Sequence, residues 1–184
     1  MTSKERVIAS LRRESPDRVP VFMWFHPSTA RHLSQLLDVP PDRIGEVMGD
    51  DIRQTWVNNN YAMEGIVHDH DGEWHMDWWG IKWTKEGEYN QVTEFPLDDA
   101  DPEAMRTYAF PWEREDELLN LMKPVVEDSE DYFLGIDVSP CAFEMYWRLR
   151  GMEAAMIDLA AQPDAADELL GRCADFAVSL SEKG

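Results

Sequence analysis

Cysteine is nearly absent from this 184-residue chain, with Cys141 and Cys173 the only two. Two thiols cannot build a disulfide framework, and no C-x-x-C spacing occurs, so the chain reads as one from a reducing compartment. Positive charge is also scarce: 17 Lys and Arg stand against 37 Asp and Glu, a formal net charge of −20. Nucleic acid and anionic membrane surfaces both require clustered cations, so neither is expected as a partner. No run approaches the roughly 18 apolar residues of a membrane span. The opening "MTSKERVIASLRRE" is charged where a secretory signal carries its apolar core. These absences predict a cytoplasmic chain. Internal repeats and low-complexity tracts are missing too.

What is present suffices for a core. Hydrophobic residues make up 43% of the chain and aromatics 11%, too much for a disordered segment despite the charge. The length fits one domain or a piece of a larger one.

Periodicity predicts the element order. Residues 2–14 read as a helix, with Thr2 and Glu5 as a capping box and Val7, Ile8 and Leu11 as its stripe. Ser15-Pro16 ends it. "VPVFMWF", 19–25, is a continuous apolar run of the kind a strand buried on both faces carries, with Pro20 near its start. A helix over 28–38 follows, with Ser28 as cap and Leu33, Leu36 and Leu37 as buried stripe. A short helix at 42–48 and a second strand in "DDIRQTWVNN" come next. Residues 66–97 alternate polar and aromatic side chains around the turn signals Asp71-Gly72 and Glu86-Gly87, which predicts a β-hairpin or small meander. It holds Trp74, Trp78, Trp79 and Trp83.

A helix over 112–128 should kink or split at Pro124. "YFLGIDV", 132–138, is a third strand, and helices split near Gly151 and restarted at Pro163 complete the chain. Strands alternating with helices predict an α/β fold with a parallel sheet. Three βα units leave an open edge, and a complete eight-unit barrel needs roughly 250 residues. The expectation is therefore the N-terminal half of a longer protein, its C-terminal half absent.

The opening "MTSKERVIASLRRESPDRVPV", the segment "AFEMYWRLRGMEAAMIDLAAQP" and "DWWGIKW" at 77–83 resemble the uroporphyrinogen decarboxylase family in its broad sense. That family includes tetrapyrrole decarboxylases and cobalamin-linked methyltransferases, and "DWWGIKW" resembles a landmark of the methyltransferase-like branch. The resemblance implies the N-terminal portion of a (β/α)8 TIM barrel over 1–184, interrupted by the hairpin at about 66–97. A small-molecule pocket would lie at the C-terminal strand ends.

Asp51, in "GDDI", resembles the family segment that carries the decarboxylases' essential aspartate; the alternative is a strand cap or solvated turn. The decarboxylases' arginine-rich loop after the first strand has no counterpart in "MWFHPSTARHL", where Phe25 and Thr29 stand in place of arginine and Arg31 lies nearby. A polycarboxylate substrate needs several guanidinium partners. The expected activity is thus methyl transfer between a small methylated substrate, a corrinoid and a thiol. Uroporphyrinogen decarboxylation and an inactive half-barrel are the alternatives.

Trp24 and His26 after the first strand, and Phe143 and Tyr146 after the third, are the candidate substrate contacts; ordinary packing is the alternative for each. Arg148 and Arg150 are expected to pair with neighbouring acids or cap helix ends. "HDHDGEWH", 68–75, has metal-site composition but neither EF-hand nor HExxH spacing, so an exposed hairpin turn is expected and no metal. By the resemblance, zinc and a corrinoid are cofactors of the full-length protein, with the zinc ligands in the absent half, and a corrinoid protein is a candidate partner; no zinc ligand carries over onto Cys141 or Cys173, both expected to be buried. The tryptophan hairpin is read as intramolecular cover or as the face of a homodimer.

Overall fold

The computed structural model describes residues 1–58, 68–127 and 129–184, together with the backbone but not the side chains of Pro27, Ser28 and Pro163. The chain is mixed α/β, with one parallel and one antiparallel sheet. It divides into two compact units: residues 1–55 with 122–135, and residues 56–121 with 136–184.

In the first unit, α1 (Ser3–Leu11) starts at the predicted capping box: the Glu5 amide donates to the Thr2 hydroxyl at 3.2 Å, and the Thr2 amide to Glu5 Oε2 at 2.9 Å. Its buried face is Arg6, Val7 and Ala9. The Lys4 amide donates to the Asp131 carbonyl at 2.8 Å, fixing the helix start against the chain just before residue 133.

No strand forms over 19–25, which corrects the expectation of a doubly buried one. Val19 and Trp24 are 79% and 54% exposed. Two aspartates take the amides that a strand would have used. Val21 donates to Asp51 Oδ2 at 2.8 Å and Met23 to Asp50 Oδ1 at 3.1 Å. Pro20 has no amide to give. The segment is extended and tethered, not laddered.

Helix α2 (Pro27–Leu37) forms as expected. Its predicted buried stripe does not: Leu36 and Leu37 are exposed and Leu33 half-buried. The cap assigned to Ser28 lies outside the described side chains. A 3-10 turn at Pro41–Arg43 leads into α3 (Ile44–Val47), with Ile44 fully buried.

Strand β1 (Ile52–Trp56) pairs with β5 (Phe133–Asp137). The Phe133 amide donates to the Asp51 carbonyl at 3.2 Å, and the Val57 amide to the Asp137 carbonyl at 2.9 Å. The later residue of each strand meets the later residue of the other, so the pair is parallel. Gly135 sits where a Cβ would be 3.3 Å from that of Gln54. Asn59, the last residue of the predicted second strand, lies outside the described residues. Among the described residues no barrel closes.

The second unit contains the expected meander: β2 (Trp74–Met76), β3 (Lys82–Glu86) and β4 (Tyr89–Glu94), antiparallel in that order. Residues 66 and 67 of the predicted span lie outside the description. Asp77 organises the β2–β3 connection. Its Oδ1 accepts from the amides of Trp79 (2.8 Å) and Ile81 (2.9 Å), and its Oδ2 from Trp83 Nε1 (2.7 Å). Gly80 supplies the positive φ of +70° that the turn requires. The Asp71-Gly72 turn precedes β2 and does not join two strands.

Trp79 is thereby driven into the core, 1% exposed, edge-on to Phe110 (5.3 Å) and Phe176 (5.2 Å). The meander therefore covers the interior of its own unit through Trp79 and Ile81, while Trp74 faces solvent. Around this cluster stand α4 (Pro102–Thr107), α5 (Glu115–Leu119), α7 (Phe143–Arg150), α8 (Met152–Ala161) and α9 (Pro163–Lys183). Helix α6 (Met122–Glu127) belongs to the first unit. The predicted helix over 112–128 breaks at Asn120–Leu121, not at Pro124. Pro124 falls in the first turn of α6, where a missing amide costs nothing.

Among the described residues no helix is long and apolar enough to cross a membrane.

Candidate functional site

Asp51 is 0% exposed and sits just before β1, where the segment at 19–25 and α1 converge on it. Oδ1 accepts from Arg6 Nη1 (2.6 Å) and Arg18 Nη2 (2.9 Å); Oδ2 accepts from Arg18 Nη1 (2.6 Å) and the Val21 amide (2.8 Å). Burial alone would raise this carboxyl's pKa. The Val21 amide, Arg18, Ser3 and Arg6 together outweigh it and hold the group below the ordinary carboxylate range. Arg6 also holds Asp17 through two bonds, 2.6 and 2.9 Å. That contact keeps the Asp17 pKa at about 2. All four acceptor positions of Asp51 are taken, and each charge has a partner. The neighbouring Asp50 differs: burial raises its pKa.

In the same unit Trp24 and His26 meet edge to face, with ring centroids 6.5 Å apart. In the other unit Phe143 and Tyr146 lie 6.3 Å apart. Phe143 is 37% exposed at the start of α7 and is available as a wall. Tyr146 is fully buried, its hydroxyl directed at Asp158 Oδ2 at 3.5 Å, the packing alternative named above. Arg150 holds the α7–α8 junction beside it: its Nε donates to the buried Asp158 at 2.6 Å and its Nη1 to the carbonyls of Leu97 and Asp98. Arg148 pairs with Glu144 at 2.7 Å, so both arginines take acids as expected. Cys173 is buried, whereas Cys141 is exposed, which corrects half of that expectation.

A polar group that the sequence reading did not single out lies at the C-terminal ends of β1 and β5. Asn58 is 1% exposed; its Nδ2 donates to the Pro140 carbonyl at 2.9 Å. Its Oδ1 is buried and has no hydrogen-bond partner among the described residues. Beside it, Asp137 Oδ1 accepts from the Ser139 amide (2.9 Å) and hydroxyl (2.6 Å), and its Oδ2 from Trp56 Nε1. The one legible signal was position: a polar residue just past the C-terminal end of a strand of a parallel pair stands where ligands bind in βα folds. Acceptors dominate this group, and the hydrogen-bond partners named include no Lys or Arg.

An open cavity of about 730 Å³ lies elsewhere, at the lead-in to the meander, lined by His68, Asp69, Asp71, Gly72, Glu73 and Trp74. It contains none of Asp51, Trp24, His26, Phe143 or Tyr146. The turn is exposed as expected, residues 69–74 all facing solvent, and only His75, on β2, is buried at 8% exposure. Among the described residues no three His, Cys, Asp or Glu side chains are placed to hold a metal.

No family model, no curated protein and no solved structure matches this chain.

Proposed function

We propose that the chain is the opening part of a (β/α)8-type barrel similar to the uroporphyrinogen decarboxylase family. The protein to which it belongs transfers a methyl group between a small methylated substrate, a corrinoid and a thiol. The barrel reading is supported by adjacency: the extended segment at 19–25 is bonded to the start of β1, and β1 runs parallel to β5.

The observation that carries methyl transfer over decarboxylation is the condition of Asp51. Tetrapyrrole decarboxylation asks a carboxylate to face the substrate and stabilise the positive charge of a protonated ring. Only an interaction that strengthens in the transition state contributes. Asp51 is sealed, and Arg6, Arg18 and the Val21 amide already occupy it. The acceptor-rich group at Asn58 and Asp137 likewise does not suit a polycarboxylate, which calls for guanidinium partners. A neutral or donor-bearing small molecule suits it better.

The described residues do not fit zinc. Cys173 is buried and burial pushes its thiol pKa up to about 12, the opposite of what a thiolate ligand requires.

The reading is tested by incubating the full protein with methylcobalamin and a small thiol and following the visible spectrum of the corrinoid. A parallel reaction with uroporphyrinogen is analysed by chromatography. Corrinoid demethylation without porphyrinogen turnover is the expected result. Porphyrinogen decarboxylation abolished by Asp51→Asn in a still-folded protein would overturn it.

A further inference from the structure

Helix α8 leaves its more apolar side in solvent. Ala155 and Asp158 are buried, while Met152, Met156, Ile157 and Leu159 are 47%, 55%, 55% and 40% exposed. Met152, Met156 and Leu159 follow at i, i+4 and i+7 and so form one stripe; exposed Ala160 bridges it to Ile157. Glu153 is the helix's one exposed charge. A contiguous apolar face turned to water marks an interaction site.

Helix α9 follows after Gln162 alone and packs on α8. It shows what a partner must carry. Leu169, Cys173, Phe176 and Leu180 face the core. The opposite side is exposed and holds Asp164, Asp167, Glu168, Asp175 and Glu182. Glu168 has Arg106 at 2.9 Å; the other four have no ion pair among the described residues. The helix's own cations are turned elsewhere. Arg172 donates to the carbonyls of Met105, Arg106 and Tyr108, and Lys183 pairs with Glu115. The helix dipole favours Asp164 in the first turn, but neither Asp175 in the middle nor Glu182 in the last turn.

We propose that the α8–α9 pair is a docking surface for a cationic amphipathic helix of another protein. The apolar face of that helix covers Met152, Met156, Ile157 and Leu159, and its Lys and Arg meet the carboxylates of α9. Charge selects this occupant. A second copy carries the same net charge of −20, and a two-fold contact would set the same carboxylates around the same patch. An anionic membrane surface is repelled in the same way. A cationic helix gains apolar burial and charge pairing together. The surface shares no residue with the group at Asn58 and Asp137, so it is independent of the proposed methyl transfer.

The test is calorimetric titration of the full chain with a synthetic peptide of leucine and lysine, about four helical turns long, whose leucines fall on one face. A peptide of the same composition, with its leucines scattered around the helix, controls for charge alone. The ordered peptide is expected to bind at least about tenfold more tightly than the scattered one, and the double variant Met156→Gln, Ile157→Gln to lose at least about tenfold in affinity for it. The double variant Asp164→Asn, Asp167→Asn should bind more weakly and with a shallower salt dependence. The proposal is overturned if the ordered peptide does not bind, if the two peptides bind alike, or if Met156→Gln, Ile157→Gln leaves the affinity unchanged. It is overturned equally if the chain self-associates in sedimentation and that variant returns it to monomer, since the occupant is then a second copy. Circular dichroism reports that each variant is folded; should one not be, the two peptides on the wild-type chain decide.

Discussion

Replacing Asp51 by asparagine removes one charge and changes almost no volume, which makes it the sharpest probe of the first unit. The asparagine keeps a single oxygen acceptor. Its new NH2 then faces either an arginine or the Val21 amide, donor against donor. Arg6 retains Asp17, and Arg18 has 43% of its side chain in solvent and can rehydrate. The cost should therefore fall at the lower end of that for breaking a buried ion pair, about 3 kcal/mol. With an m-value of about 2 kcal/mol/M, the urea midpoint should drop by roughly 1.5 M. Protection of the Val21 amide against exchange should fall by about 100-fold, each 1.4 kcal/mol being tenfold.

The pH profile gives an independent reading. The folded carboxyl of Asp51 is held low, so its contribution is fully present above the unfolded value, about 3.9, and is lost as pH falls through the folded one. Asp51→Asn should lack that part of the acid loss. Asp17→Asn, with 46% of the side chain exposed, is the control and should cost clearly less than Asp51→Asn. A loss below about 1 kcal/mol for Asp51→Asn, or equality with Asp17→Asn, would refute the reasoning.

Three further outcomes are expected. Arg150→Met strands Asp158 and two carbonyls, so thermal unfolding should come about 6–12 °C earlier, whereas Arg106→Met, which removes an exposed pair with Glu168, should shift it little. Gly151→Ala should destabilise by about 1–3 kcal/mol in denaturant titration, because φ is +82° and the new Cβ would stand 3.4 Å from both Asp98 Oδ1 and Phe95. In the native protein a thiol reagent should modify exposed Cys141 and spare Cys173, with both reacting in denaturant; early loss of Cys173 would contradict its burial.

The local signals in the sequence were largely sufficient for the elements. The Thr2–Glu5 box, the glycine turn at 87, the break at Gly151 and the helix start at Pro163 each act within a few residues. Each produced the expected boundary. The failures share a different cause. The run at 19–25 has every strand propensity, yet its amides are claimed by aspartates about 30 positions away. The sequence left Tyr146 open between pocket wall and packing, because nothing near it announces that Arg150 reaches back to Leu97. Asn58 carried no motif; only the pairing of β1 with β5 places it beside Asp137 and Pro140.

The amino-acid sequence by itself determined those boundaries that a cap or a turn marks, such as the start of α1 and the break at Gly151, because these are settled by neighbours along the chain. It also determined the shortage of cations and thiols. Tertiary structure alone decided which carboxylates are spent on holding the fold. Whether Asp51 is a free acid or a sealed counter-ion depends on Arg6 and Arg18, and burial makes any unpartnered charge too costly to leave.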